Sequence, residues 1–238
     1  MEYKKMTRIL NILAQFLKEV EKDNPHNLVL KGGTALSLYY LDHHRESEDL
    51  DFDVEQQYIQ KYTKIEQYIQ NIFEKLKEQK ILTEYRITKA GFASTKRYHI
   101  SIQLKTHKIY HTKIDIDFVE LPKIFEQRGE LLLYSQERLF IGKLIAFTNR
   151  NEFKDLYDIS QLIKNVHIEQ WKGNEHVQQL LQKTIETIKE EDINRMFKTA
   201  FRNIDMRFKN LKESQLQTFI QKTEHDIHKI MNIIKKEI

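Results

Sequence analysis

Cysteine is absent from this chain, and glycine and proline are nearly so, at six and two among 238 residues. The first absence excludes disulfides, thiol nucleophiles and cysteine metal sites, and it fits a reducing compartment. The second lies far below the roughly 12% of average usage and reads as a helix-rich chain with economical turns. No hydrophobic run approaches the length of a membrane span. Lys4, Lys5 and Arg8 do precede Ile9-Leu10, but Asn11, Gln15, Lys18 and Glu19 interrupt the run and no small-residue cleavage site follows. A soluble, cytoplasmic protein with no membrane partner is the expectation.

Charged residues make up 31% of the chain and apolar ones 40%, a balance that excludes disorder and a membrane-embedded fold. The net charge of +4 permits a polyanionic partner without demanding one. At this length the chain can bury one large core or two small ones.

Met6, Ile9, Leu10, Leu13, Leu17 and Val20 recur at helical spacing and predict an amphipathic first helix. Asp23-Asn24-Pro25 breaks it. Leu28 to Leu30 reads as a short buried strand that runs into Gly32-Gly33, with Thr34 as the cap of a helix from Ala35 to about Leu41. A polar turn, which includes His43-His44, leads to a strand over Asp49 to Val54. Ile65, Ile69, Ile72, Phe73 and Leu76 mark a long amphipathic helix. Strands are predicted over Leu82 to Thr88, Tyr98 to Leu104 and Ile109 to Val119, the last two as an antiparallel hairpin turning at Lys105-Thr106-His107. From Gln136 onward only helices are expected, at about 137–149, 154–165, 175–190, 192–211 and 213–236. The expected division is an α+β part over residues 1–130 and a helical part over residues 131–238 packed against it.

Two patterns carry chemistry. Asp49, Asp51 and Asp53 alternate with Leu50, Phe52 and Val54, so three carboxylates point one way and three apolar side chains the other. Ile114, Ile116 and Phe118 alternate in the same way with Lys113, Asp115 and Asp117. If the two strands are neighbours, four or five carboxylates share one surface. Asp is depleted in strands and like charges side by side repel. A solvated face is one reading; a Mg²⁺ ion, which prefers carboxylate oxygen, water and phosphate, is the other. The second pattern is Gly32-Gly33-Thr34 between a strand and a helix, where two glycines let backbone amides approach an anionic ligand and the Thr34 hydroxyl can reach a phosphate oxygen.

In combination these stretches have a family likeness. Lys31-Gly32-Gly33-Thr34-Ala35-Leu36, then Arg45-x-Ser47-x-Asp49-Leu50-Asp51-Phe52, resembles the AbiEii/MenT family of nucleotidyltransferase toxins, within the polymerase-β-like nucleotidyltransferase superfamily. Asp115 looks like the family's third carboxylate. Lys143, Arg150 and the run Asn151 to Asp158 look like its late helical motif. The resemblance implies a small mixed-sheet nucleotidyltransferase core with flanking helices and a helical C-terminal half.

It further implies a Mg²⁺-dependent transfer of NMP from an NTP to an acceptor hydroxyl, with two Mg²⁺ ions at Asp49, Asp51 and Asp115. Lys31, Gly32, Gly33, Thr34, Arg45 and Ser47 would meet the nucleotide, and Lys143, Lys154 and Asp155 would join the catalytic set. The implied acceptor is a transfer RNA 3′ end and the implied partner a cognate antitoxin. Asp53 leaves a register shifted by two residues open, and Asp117 competes with Asp115. A non-catalytic nucleotide-binding module and a phosphotransferase or phosphohydrolase at the same metal site are the alternatives. Arg195, Lys198 and Arg202 share a helical face that suits either a nucleic-acid backbone or plain solvent.

Overall fold

The structure is a computed structural model and describes residues 8–91, 95–103, 109–190 and 213–235. It contains a seven-stranded mixed sheet. The strands are β1 (Val29–Lys31), β2 (Asp49–Glu55), β3 (Glu84–Gly91), β4 (Thr95–Gln103), β5 (Ile109–Val119), β6 (Glu126–Arg128) and β7 (Leu131–Leu133). Their order across the sheet is β3-β4-β5-β2-β1-β7-β6. β2 runs parallel to β5 and β1 parallel to β7, while the other neighbouring pairs are antiparallel.

The central alternation works as the sequence suggests. Leu50, Phe52, Ile114 and Ile116 are fully buried on one face of the sheet, and burial of each such side chain is worth about 1.5–3 kcal/mol. Helices α1 (Arg8–Lys22) and α3 (Tyr62–Glu78) belong to this apolar side. Phe16 of α1 meets Phe73 of α3 with ring centroids 5.3 Å apart, and Phe73 stacks on Tyr85 of β3. The opposite face carries the aspartates.

Three differences from the sequence reading have simple causes. β6 and β7 are three residues each, too short for an alternation to show, and Leu131-Leu132-Leu133 has none; β7 is set by its pairing with β1. Helix α2 (Gly32–Ala35) starts at the glycines and passes into a π-helical turn over Leu36–Tyr40, so Thr34 lies inside the helix and is not its cap. His43-His44 is not a solvated turn: His44 is buried. The turn predicted at 105–107 and the helix predicted at 192–211, with Arg195, Lys198 and Arg202, lie outside the described residues.

The chain packs as two compact units. One holds residues up to Leu38 and Glu46–Ser135, and thus the whole sheet. The other holds Tyr39–Arg45 and residues from Gln136 on. In the second, the described elements include α4 (Gln136–Arg150), α5 (Phe153–Leu162), α6 (Glu175–Glu190) and α7 (Leu216–Lys235). Among the described residues no helix is long and apolar enough to cross a membrane.

Candidate active site

Within the sheet unit, the β2–β5 pairing sets the aspartates in register. Asp51 lies opposite Asp115, Asp53 opposite Asp117, and Asp49 opposite Lys113. The like charges are managed unequally. Lys31 reaches diagonally from β1 to Asp53 and to Asp117, the latter at 2.7 Å. The Tyr134 hydroxyl donates to Asp53 at 2.7 Å, and Thr95 donates to Asp117 at 2.6 Å. Burial alone would raise the Asp117 carboxyl, but the Lys31 and Thr95 hydrogen bonds outweigh it and hold the group below its usual range. These two aspartates therefore share one lysine and take a hydroxyl each.

Asp49 and Asp115 are held differently. Arg97 of β4 forks onto Asp115 at 2.7 and 2.8 Å, yet its side chain is 45% exposed. Lys113 lies 3.2 Å from Asp49 and 3.9 Å from Asp115. Both cations belong to the exposed or half-buried polar face. Among the described residues no three His, Asp or Glu side chains converge closely enough to hold a metal ion as they stand.

The glycine turn meets this row directly. Gly32 has φ +76°, in the left-handed region, and a Cβ placed there would overlap Asp51 Oδ2 and lie 3.1 Å from Asp51 Cγ. Only glycine serves both demands. Thr34 is fully buried; its hydroxyl donates to the Asp49 carbonyl and lies 2.8 Å from Ser47 Oγ. These contacts brace the turn against the start of β2. Lys31, likewise, has its ammonium group on Asp53 and Asp117.

A second constellation is built wholly within the helical unit. Asp155 and Asp158, one turn apart on α5, are fully buried. Lys143 of α4 bridges them at 3.0 and 2.7 Å. Arg150 forks onto Asp155 at 2.7 and 2.8 Å. Arg45 forks onto Asp158 at 2.6 and 2.7 Å, and His44 Nε2 lies 2.7 Å from the same carboxylate. Burial would raise Asp158; the Arg45 and Lys143 charges overcome it and hold the carboxyl well below its usual range. Asp155 is lowered against the same burial by Lys143 and Arg150. His44, stacked on Tyr157 with centroids 5.8 Å apart, is pushed down by burial more than Asp158 lifts it.

Arg45 thus bonds Asp158 and is buried away from solvent, and Lys143 is buried as well. Lys154 stands apart from the cluster, with its ammonium 2.7 Å from Glu152.

A family model, described as Nucleotidyl transferase AbiEii toxin, Type IV TA system, matches residues 15–230. The chain belongs to the AbiEii family. It is thereby a nucleotidyltransferase toxin of a type IV toxin–antitoxin system, which implies a nucleotide substrate and a cognate antitoxin. Among solved structures, the AbiEii fold described above is shared with JHP933 from Helicobacter pylori, at a TM-score of 0.69 over 97% of this chain and 95% of that one. The two sequences are 19% identical, so the likeness concerns the fold alone. No curated protein matches this chain.

Several residues of these two constellations are hidden from the sequence. Arg97 sits on the polar side of β4, opposite Tyr98 and Ile100, but its pairing with Asp115 needs the strand register. Tyr134 and His44 carry no periodic signal at all.

Proposed function

We propose that this AbiEii protein transfers NMP from an NTP to the 3′ hydroxyl of an RNA, in the cytoplasm, with divalent cations at Asp49, Asp51 and Asp115. The observation that carries this reading is the close approach of the Gly32 turn to Asp51, beside Asp115 in register on the neighbouring strand. A glycine there leaves the carboxylate room and exposes backbone to a phosphate-bearing ligand. Asp53 and Asp117, already satisfied by Lys31, Tyr134 and Thr95, are the structural members of the row.

All three candidates offer carboxylate oxygen, the donor that a hard cation takes, and a cation would have to draw together side chains that do not converge as they stand. When bound, Mg²⁺ would neutralise the triphosphate and lower the pKa of the acceptor hydroxyl. Asp49, Asp51 and Asp115 would hold the cation. Arg97 and Lys113, which lie on Asp115 and Asp49, supply positive charge to phosphate oxygens of the same substrate. The acceptor hydroxyl loses its proton to solvent, its oxygen bonds to the α-phosphorus, the α–β phosphoanhydride bond breaks, and pyrophosphate leaves. No side-chain nucleophile takes part, which suits a chain without cysteine. In the helical unit, Arg150, 45% exposed, bonds Asp155 and lies 3.5 Å from Glu152.

The acceptor class is taken to be transfer RNA, as the family resemblance implies. Incubation with labelled NTP, Mg²⁺ and total RNA tests the reading. RNA should become labelled by the unchanged protein and not by Asp49→Ala or Asp51→Ala. Equal labelling by both variants would remove these residues from the site.

A further inference from the structure

The polar face of the sheet extends well beyond the carboxylates. Because paired residues on neighbouring strands point to the same side, the registers define rows across β3, β4, β5 and β2. One row reads Arg86, Ser101, His111; the next reads Thr88, His99, Lys113, Asp49; the third reads Ala90, Arg97, Asp115, Asp51. Arg86, Arg97, His99 and His111 are exposed. The face is therefore divided by charge: acidic along β2 and the second half of β5, basic along β3, β4 and the first half of β5. Glu84, the acid of β3 on this face, is occupied by Lys77 of α3 at 3.0 Å. Arg97 and Lys113 form the seam, each bonded to an aspartate of the acidic half.

We infer that this basic half of the sheet is the track for the sugar–phosphate backbone of the acceptor RNA, leading its 3′ end to the carboxylates at the seam. The inference rests on the transfer reaction proposed above. Its own support is the size, sign and continuity of the surface. From β3 to β5 the face spans two strand spacings, about 10 Å, and Arg86 to Ala90 spans four residues, about 13 Å. That area accommodates several phosphates of a strand, more than a single triphosphate needs. Arg86 and Lys113 offer charge, Ser101 and Thr88 offer hydroxyls, and the exposed His99 and His111 rings offer faces on which unpaired bases stack. A polyanion running down this face meets its first carboxylates where Arg97 and Lys113 already shield them.

The test uses the full chain and a fluorescein-labelled single-stranded RNA with a free 3′ end, read by anisotropy across a salt series. NTP binding is measured in parallel. The Arg86→Glu/His111→Glu variant changes two exposed side chains outside the carboxylate set. It should bind RNA about tenfold or more weakly, with a shallower dependence of log affinity on log salt, because fewer phosphate contacts release fewer counterions. Its NTP affinity should match the unchanged protein. Asp51→Asn should keep RNA binding while it loses transfer.

Unchanged RNA affinity and salt slope in the double variant would overturn the track. So would RNA binding that the double variant loses together with NTP binding, since the surface would then serve the nucleotide. RNA held on this surface but never labelled would leave the track standing and remove RNA as the acceptor.

Discussion

Gly32 and Asp51 meet so closely that no side chain at position 32 fits while the carboxylate stays where it is: the glycine is at φ +76°, and a Cβ there would collide with the Asp51 carboxylate. The contact joins the turn after β1 to the acidic strand β2, the two halves of the candidate site. Gly32→Ala should therefore strain the backbone and displace Asp51 together. The expected cost is about 1–3 kcal/mol, seen as a lower denaturation midpoint, with a larger fractional loss of transfer activity than of folded protein.

Asp51 and Asp53 should separate by what their loss affects. Asp51→Asn should abolish transfer and leave stability nearly unchanged. Asp53→Asn should mainly destabilise, because Lys31 and Tyr134 lose a charged partner in the interior of the sheet unit. The check is to measure both activity and the urea midpoint for each. The reverse pattern would move the metal pair by two residues.

The buried cluster of the helical unit makes a distinct prediction. Asp158→Ala would leave Arg45 and Lys143 buried without their shared carboxylate, a loss on the order of 3–5 kcal/mol. Lys143→Met should be milder, since Arg45 still faces Asp158 and Arg150 still faces Asp155. If Lys143 serves the reaction, its removal should lower kcat by about 10²–10³ while most of the protein stays folded. Denaturation curves and kcat measured on the same samples decide between the two roles.

Acid should destabilise this protein in two steps. His44 titrates below the 6.5 of a free histidine because it is buried, so the unfolded chain binds its proton more readily. The stability it contributes is complete above pH 6.5 and is lost as the pH falls from there through the folded pKa. His26, also lowered by burial, acts with the same sign. Asp155 and Asp158 are held below 3.8, so their contribution is present above that value and is lost on further acidification. His44→Asn should flatten the decline of unfolding free energy below pH 6.5, measured by urea titration at each pH.

Local chemistry made much of this legible in the sequence. Period-two alternation located β2 and β5 because each has one face buried, and the Gly-Gly pair stood out in a chain that uses glycine so rarely. Partners were not legible. That Lys31 serves Asp53 and Asp117, that Thr34 braces Asp49, and that Arg45 is buried on Asp158 all depend on residues between 15 and 113 positions apart. Such choices are made by strand register and helix packing, which no single segment encodes. His44 shows the limit well: flanked by polar residues in a turn, it is buried by an aspartate far along the chain.

The most direct measurement follows the fate of each phosphate. RNA incubated with this protein and Mg²⁺ should take up label from NTP labelled at the α-phosphate, and none from NTP labelled at the γ-phosphate, which should appear as pyrophosphate. Chelation with EDTA or the change Asp51→Asn should abolish both signals. Uptake of the γ-label by an acceptor, or release of free phosphate with no labelled acceptor, would contradict nucleotidyl transfer at this site.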